Sequence, residues 1–555
     1  MHSETVEKSA QSHRPMTKQE KKVIWASSLG TVFEWYDFGL YGTLAVVLGQ
    51  HFFSAFDPAI RNVFVLLAFA AGFLVRPFGA ALFGRIGDLS GRKYTFLITI
   101  ILMGLATFLV GVLPTYGSIG IAAPICLIVL RMIQGLAVGG EYGGAAIYVA
   151  EHAPSDRRGY YTSWIQTTAN IGVLMTLTIV VGIRMYLGEQ AFLDYGWRIP
   201  FLLSIILLVI SVWVRLQMQE SPAFLKMKAE GKQSKAPIKE ALGQWRNLKM
   251  ILIALFGLIA GQAVVNYTGQ FYALFFMQGV LKIDLFTSTV MIAWAIFFGT
   301  AGFIFFGSLS DKVGRKPVIL LGCFIAAVTY FPIYSSLTKL GSPNLDKALE
   351  TVVTELRVDK NGCGSVFDPV GIRTFTSDCD IARVSLARAA VKYTLIERDP
   401  GTPTELTIGG SQVRIVPSIS ENIAAISKAA QKAGYPGPND PSIFKADSIF
   451  APFQSLRGFM IMGLLLILTL YMAAVYTPIA AALVEFFPTR IRYTALSIPY
   501  HIGNGWFGGF VPPTAFAMVA STGDIYFGLW YPITVACLTV LIGTLFVPET
   551  KGREI

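Results

Sequence analysis

Two carboxylates and one arginine are the residues of this chain with the clearest capacity for chemistry. Glu34 and Asp37 stand three apart in Glu34-Trp-Tyr-Asp37-Phe-Gly-Leu-Tyr41, so on a helix they share one face with Tyr41. The surrounding stretch, 24–52, is apolar and long enough to cross a bilayer. A charge placed there costs about 2.5–3.5 kcal/mol on insertion scales, so each acid needs a partner or a purpose. One reading is a structural pair satisfied by neighbouring helices. The other is a carboxylate that takes up and releases a proton, with Asp37 favoured over Glu34. Arg131, inside the apolar stretch 119–150, is the cation best suited to answer that acid, because a guanidinium stays charged and offers a planar fork. Glu141 lies ten residues beyond Arg131, about 15 Å along a helix; it reads equally as a second proton relay or a gate residue. Arg76, in Val75-Arg76-Pro77, either binds a substrate anion or is structural.

Uncharged polar side chains recur at the same depth: Gln134, Gln166, Asn170, Asn266, Tyr267, Gln270, His501 and Asn504. Gln166/Asn170 and Asn266/Gln270 are i,i+4 pairs. Singly, each is accounted for by an interhelical hydrogen bond worth about 0.6 kcal/mol. Together they imply a polar central cavity. His501 reads as a packed or gate residue rather than a proton carrier. Nothing here composes an enzyme active site, and no cofactor or metal is expected.

These residues need membrane helices to hold them, and the composition supplies them. Of 555 residues, 54% are hydrophobic and 14% charged, with mean hydropathy +0.57; soluble domains carry about 25% charged residues. Apolar stretches fall at 24–52, 61–84, 94–113, 119–150, 161–187 and 199–218, then at 250–279, 286–308, 317–338, 457–484, 491–520 and 525–547. We number them spans 1 to 12. Lys and Arg concentrate in the loops after spans 2, 4, 6, 8 and 10 and in the tail, which places both termini in the cytoplasm. The net charge of +11 is this bias and gives no reason to invoke nucleic acid.

The chain repeats itself. Gly84-Arg-Ile-Gly-Asp88-Leu-Ser-Gly91-Arg92-Lys93 after span 2 and Gly307-Ser-Leu-Ser-Asp311-Lys-Val-Gly314-Arg315-Lys316 after span 8 share G-x3-D-x2-G-R-K at an offset of 223. Glu151-His-Ala-Pro154 and Glu485-Phe-Phe-Pro488 form a second pair at an offset of 334, which is 111 larger. An insertion of that size therefore separates spans 9 and 10, and the polar stretch 340–450 is the only place for it.

The paired loops resemble the signature of the major facilitator superfamily, as do Arg131-x-x-Gln134-Gly135, Gln219-Glu220-Ser221-Pro222 and Pro548-Glu549-Thr550-Lys551-Gly552-Arg553. Within it, Glu34-Trp35-Tyr36-Asp37-Phe38-Gly39, Gly139-Gly140-Glu141-Tyr142-Gly143-Gly144 and Phe487-Pro488-Thr489-Arg490 are similar to the metabolite:proton symporter family. The resemblance covers all twelve spans and leaves out 340–450. It implies two pseudo-symmetric six-helix halves around a midplane site, and import of compatible solutes or small carboxylates. Sugar porters resemble this arrangement too, with an acid on span 1 facing an arginine on span 4. The resemblance further implies that Asp88, Arg92, Asp311 and Arg315 form salt bridges locking a cytoplasmic gate, with Glu151 and Glu485 as candidate partners.

The expected organisation is a cytoplasmic tail (1–23), a six-helix bundle (24–218), a cytoplasmic linker (219–249), spans 7–9 (250–338), an extracytoplasmic insertion (339–456), spans 10–12 (457–547) and a cytoplasmic tail (548–555). Residues 340–450 hold twelve Lys or Arg and thirteen Asp or Glu, unlike the basic loops. A hairpin turning at Gly409-Gly410 and helices at about 380–392 and 420–433 predict a small α/β domain. Cys363 and Cys379 either pair as a disulfide or remain thiols.

The function read from these features is proton-coupled import of a small carboxylate or zwitterion by alternating access, in a bacterial inner membrane, by a monomer. The alternatives are an uncoupled facilitator, an exporter, or a transporter-like sensor. For topology, cysteines introduced near 230 are expected to resist a membrane-impermeant thiol reagent applied outside, and cysteines near 400 to react. Equal labelling at both sites contradicts the twelve-span count.

Overall fold

In the computed structural model, residues 18–55, 58–217, 219–368, 373–437 and 439–555 are described. The N-terminal tail assigned to 1–23 lies mostly outside them. Twelve helical spans form two bundles of six, an all-α membrane fold interrupted by one small sheet. Spans 1 to 6 run Lys18–Phe52, Pro58–Ser90, Arg92–Val112, Ala122–His152, Arg158–Leu187 and Arg198–Leu216. Span 7 runs Trp245–Val280, and spans 8, 9 and 10 run Leu285–Val313, Arg315–Gly341 and Leu456–Phe486.

Among the described residues, nine helices are long and apolar enough to cross a membrane. Spans 1 and 2 are not among those nine. Span 11 is broken into Arg492–Ile502, a π turn Gly503–Gly508 and Val511–Thr522, so no single α-helical run reaches the required length. Span 12 is Phe527–Phe546. Spans 2 and 8 outrun the apolar boundary by a turn or more, to Ser90 and Val313. Each then breaks at a glycine of positive φ, Gly91 (116°) or Gly314 (110°), before the next span starts. A side chain at either position would be strained and would strike the carboxylate of Glu220 or Glu549.

Those carboxylates show why the two turns repeat. Glu220 accepts from the backbone N–H groups of Arg92 (3.0 Å) and Lys93 (3.3 Å); Glu549 does the same for Arg315 (2.9 Å) and Lys316 (3.1 Å). An anion at a helix N-terminus satisfies orphan donors and complements the dipole. The Gln-Glu-Ser-Pro and Pro-Glu-Thr motifs are thus the same cap in each half.

The insertion contains a four-stranded sheet in the order β2-β1-β3-β4. Its strands are β1 (Thr354–Asp359), β2 (Thr394–Arg398), β3 (Glu405–Ile408) and β4 (Ser411–Val413). β1 and β2 pair in parallel, joined through helix Asp378–Arg388, and β3 runs antiparallel to β1. The β3–β4 hairpin turns at Gly409 and Gly410, φ 52° and 80°, as a type I′ turn requires. The second helix is Ile419–Ala433, capped by Ser418 and stopped at Gly434. Strands β1 and β2 were not expected from sequence, because flanking loops and charged residues obscure their alternation. Cys363 and Cys379 are joined as a disulfide with Cα atoms 5.3 Å apart.

The insertion is fastened to the C-terminal half. Arg383 donates to the Ser521 carbonyl (2.7 Å) and Tyr393 to that of Ala520 (3.0 Å), both on span 11. The Ala446 N–H donates to Thr287 Oγ1 (2.8 Å), and Trp294 Nε1 to the Ile449 carbonyl (2.6 Å), both on span 8. Mass spectrometry after alkylation of the denatured, unreduced protein is expected to count three modified thiols, those of Cys126, Cys323 and Cys537, and five after reduction. Five without reduction would mean that Cys363 and Cys379 are not joined.

Candidate functional site

Span 1 is a continuous helix through 34–41, so Glu34, Asp37 and Tyr41 share a face turned toward span 4. Asp37 is 4% exposed. It accepts from Thr107 Oγ1 of span 3 (2.7 Å) and from Gln134 Nε2 of span 4 (2.9 Å). Its second oxygen lies 3.6 Å from Arg131 Nη1. Arg131 in turn donates to Gln134 Oε1 (2.7 Å) and lies over the Tyr41 ring, 3.9 Å from its centroid. Asp37, Thr107, Gln134, Arg131 and Tyr41 therefore form one network inside the N-terminal half. The direct ion pair is its longest link, while neutral groups hold the acid at shorter range. A proton arriving on Asp37 would cancel the attraction to Arg131 and leave those groups to hold the acid in place.

Glu34 and Arg76 line the same pocket, with Asp37, Phe38, Gly72, Phe73, Arg131, Gln134, Gly135 and Val138. The Arg76 guanidinium lies over the Phe73 ring (4.3 Å) and near Phe38 (5.6 Å). Glu141 is elsewhere. It is buried in an ion pair with Arg215 of span 6 and accepts from Thr99 Oγ1 (2.8 Å). Arg215 also donates to the Phe96 carbonyl (2.8 Å) and packs over the Phe96 ring (3.6 Å). Nothing in this arrangement turns Glu141 toward the pocket. Removing one member of such a pair leaves an uncompensated buried charge, at a cost of about 3–5 kcal/mol.

Aromatic layers bound the pocket on two sides. Toward the basic loops, Tyr142 of span 4 stacks on Tyr500 of span 11 with ring centroids 3.7 Å apart, and the Tyr500 and Tyr476 hydroxyls are 2.5 Å apart. Toward the other face, Phe38 meets Phe271 (5.3 Å) and Phe73 meets Tyr267 (5.9 Å), again joining the two halves. The expected polar residues divide. Gln166 donates to the Tyr142 hydroxyl (3.1 Å), Asn170 to Thr300 Oγ1 (3.3 Å), and Asn504 exchanges bonds with Gln262 (3.2 Å each way). Asn266 and His501, each 1% exposed, have no hydrogen-bond partner for either side-chain polar atom among the described residues. Gln270 is buried as well. Span 7 contains π turns at Leu255–Ile259, Thr268–Tyr272 and Phe276–Val280, each of which shifts the register.

The repeated loops meet across the halves. Asp88 of span 2 accepts from the N–H groups of Tyr493 (3.1 Å) and Thr494 (3.0 Å) and from Thr494 Oγ1 (2.8 Å), at the start of span 11. Asp311 of span 8 accepts from the N–H groups of Gly159 and Tyr160 (2.8 Å each), at the start of span 5. Each aspartate is also paired with the arginine four residues on, Arg92 (3.0 Å) or Arg315 (2.6 Å). Glu485 pairs with Arg315 (3.2 Å) and with Arg158 of the other half (3.5 Å). The expectation for Glu151 needs correction. It pairs with neither repeated loop but with Arg492 of the opposite half (2.6 Å). Arg92 is already held by Asp88 and turns its other nitrogen to the Thr489 carbonyl (3.0 Å).

Several of these residues escaped the sequence reading. Arg158 and Arg492 carry a usable signal, because Glu151-x6-Arg158 and Glu485-x6-Arg492 repeat at the same offset of 334. Arg215 is a charge near the end of an apolar run and reads there as a flanking residue. Thr107 and Gln262 carry no signal, since hydroxyls and amides are common in membrane helices.

The family described as "Sugar (and other) transporter" matches residues 22–353 and 441–555 and omits the sheet. The chain is 39% identical over 334 residues to the proline/betaine transporter of Escherichia coli K12, covering 57% of this chain and 65% of that one, less than two thirds of its length. It is 37% identical over 331 residues to the shikimate transporter of the same strain, covering 57% and 72%. A solved structure of the E. coli xylose transporter in a partially occluded inward-open conformation aligns over 97% of this chain with a TM-score of 0.56 at 16% identity, a likeness of fold.

The inter-half contacts carry a direct expectation. Asp88→Asn weakens hydrogen bonds to a charged acceptor worth about 1.5–3 kcal/mol, which is about tenfold or more in an equilibrium. A cysteine replacing the buried Ser497, in a background without the free cysteines, is expected to react with a thiol reagent about tenfold faster in that variant of the purified protein. An unchanged rate would remove Asp88 from the closure.

Proposed function

Because the chain belongs to the sugar (and other) transporter family, we propose that it imports a small carboxylate or zwitterionic solute together with protons by alternating access. The observation that carries this reading is the Asp37–Arg131 pair at 3.6 Å, which lines a pocket formed by spans 1, 2 and 4 of the N-terminal half. With the solute absent, Arg131 and Asp37 neutralise each other. A proton entering from outside occupies Asp37, which Thr107 and Gln134 keep in position, and Arg131 is released to attract the solute's carboxylate. Loss of both ligands on the inner side restores the pair. Each positive charge carried down about 100 mV supplies ~2.3 kcal/mol, about a 50-fold accumulation at 1.4 kcal/mol per decade.

The short Lys- and Arg-bearing loops support cytoplasmic termini in a bacterial inner membrane. On that orientation the Asp88 and Asp311 contacts close the cytoplasmic side. The same-half network around Asp37 needs no second copy of the chain, which supports a monomer.

Asp37→Asn in proteoliposomes is expected to abolish accumulation driven by a pH gradient while retaining exchange of labelled for unlabelled solute, since exchange requires no net proton release. Proline, betaine, shikimate and citrate in competition would identify the solute followed. Uphill accumulation by Asp37→Asn at the wild-type level would move the proton to another acid and refute this coupling scheme.

A further inference from the structure

Among the described residues, the carboxylates within and at the ends of the spans have a cationic or hydrogen-bonding partner. Asp37 faces Arg131, Glu141 faces Arg215, Asp88 faces Arg92, Asp311 faces Arg315, and Glu151 and Glu485 face Arg492 and Arg158. Glu34 is the exception: it has no hydrogen bond and no cation within 4.0 Å among the described residues, although it lines the pocket. Arg76 is its counterpart. It lines the same pocket, has no carboxylate partner among the described residues, and its buried Nε has no acceptor. Arg76 is one of several charges near Glu34, with Glu141, Arg215 and Asp37, and none of them forms an ion pair with it. On the facing half, His501 is buried and unpartnered at both ring nitrogens among the described residues.

We propose that Glu34 and Arg76 are the two poles of a binding site for a small dipolar solute, Arg76 taking its carboxylate and Glu34 its ammonium centre. This rests on the pocket being the transport site. A plain anion would answer Arg76 and leave Glu34 alone; a plain cation would do the reverse. A solute carrying both charges answers both, and buried charges are tolerated when paired. The walls favour the same class. Phe38 lines the pocket with Glu34, and aromatic rings attract ammonium groups, including those without N–H donors. In this division of labour Arg131, freed by the proton on Asp37, first attracts the carboxylate, and Arg76 and Glu34 hold the two charges of the bound solute.

The test compares pairs of ligands that differ only in the cationic atom. Glycine betaine has a carbon isostere, 3,3-dimethylbutanoate; proline has cyclopentanecarboxylate. Binding of each pair to purified wild-type protein is expected to favour the zwitterion of at least one pair by about tenfold or more, the scale of a single charge-assisted contact. Glu34→Gln is expected to reduce that preference to about twofold or less, and Glu34→Asp to restore part of it. Arg76→Ala should weaken both members of the pair together, with partial recovery in Arg76→Lys. The wild-type comparison needs no variant, so misfolding of Glu34→Gln leaves the test intact. Equal binding of zwitterion and isostere, binding of shikimate with neither zwitterion, or an undiminished preference in a folded Glu34→Gln would overturn the two-pole site while leaving proton-coupled transport standing. Absence of accumulation for every solute offered would refute the transport reading, and the two-pole site with it.

Discussion

Asp88 and Asp311 each reach out of one half of the molecule and cap a helix that begins in the other. The N-terminus of a membrane helix presents N–H groups that have no intrahelical acceptor and carry a partial positive charge. Here those groups, at Tyr493 and Thr494 and at Gly159 and Tyr160, are met by carboxylates already held by an arginine one turn away. The geometry is reciprocal, and Glu151–Arg492 and Glu485–Arg158 repeat the exchange. Drawing the two bundles together on the side of the basic loops brings Tyr142 onto Tyr500 and makes a floor. The Phe38–Phe271 and Phe73–Tyr267 contacts bridge the same two halves at another depth, and Phe38 and Phe73 also line the pocket of the N-terminal half.

Within that frame, the low dielectric of the bilayer sorts the charged residues by whether they are answered. Glu141 and Arg215 lie against Thr99 and Phe96 in a closed packing contact within the N-terminal bundle. Asp37 and Arg131 are answered more loosely, at 3.6 Å and through a shared glutamine. An ion pair at that distance, reinforced by neutral groups, can be opened without dismantling the helix packing around it. Glu34 and Arg76 are left facing the pocket without an ion pair. The three acids thus differ in their surroundings far more than in their sequence context.

The inserted domain is bound to the outer ends of spans 8 and 11 by bonds at Thr287, Trp294, Ala520 and Ser521, all in the C-terminal half. A domain fastened to one bundle moves with that bundle when the halves rearrange. Its sheet is closed by the Gly409-Gly410 hairpin and flanked by the disulfide-tethered helix, and the bonds named above attach it to the C-terminal half.

Periodicity and repetition made most of the architecture legible. Twelve apolar runs, the basic loops, the duplicated G-x3-D-x2-G-R-K and the size and place of the insertion all follow from local composition, because a bilayer imposes length and polarity on each segment independently. Glu34, Asp37 and Arg131 were equally visible, since a charge in an apolar run stands out whatever surrounds it. Partnership was not visible. That Glu141 meets Arg215, that Glu151 crosses to Arg492, and that Thr107 and Gln134 share Asp37 depend on how helices distant in sequence rotate against one another. Sequence alone determined which residues had to pay the cost of burial in a membrane. The tertiary structure decided which of them are answered there, because ion pairing falls off within a few ångströms and only helix packing sets distances that small.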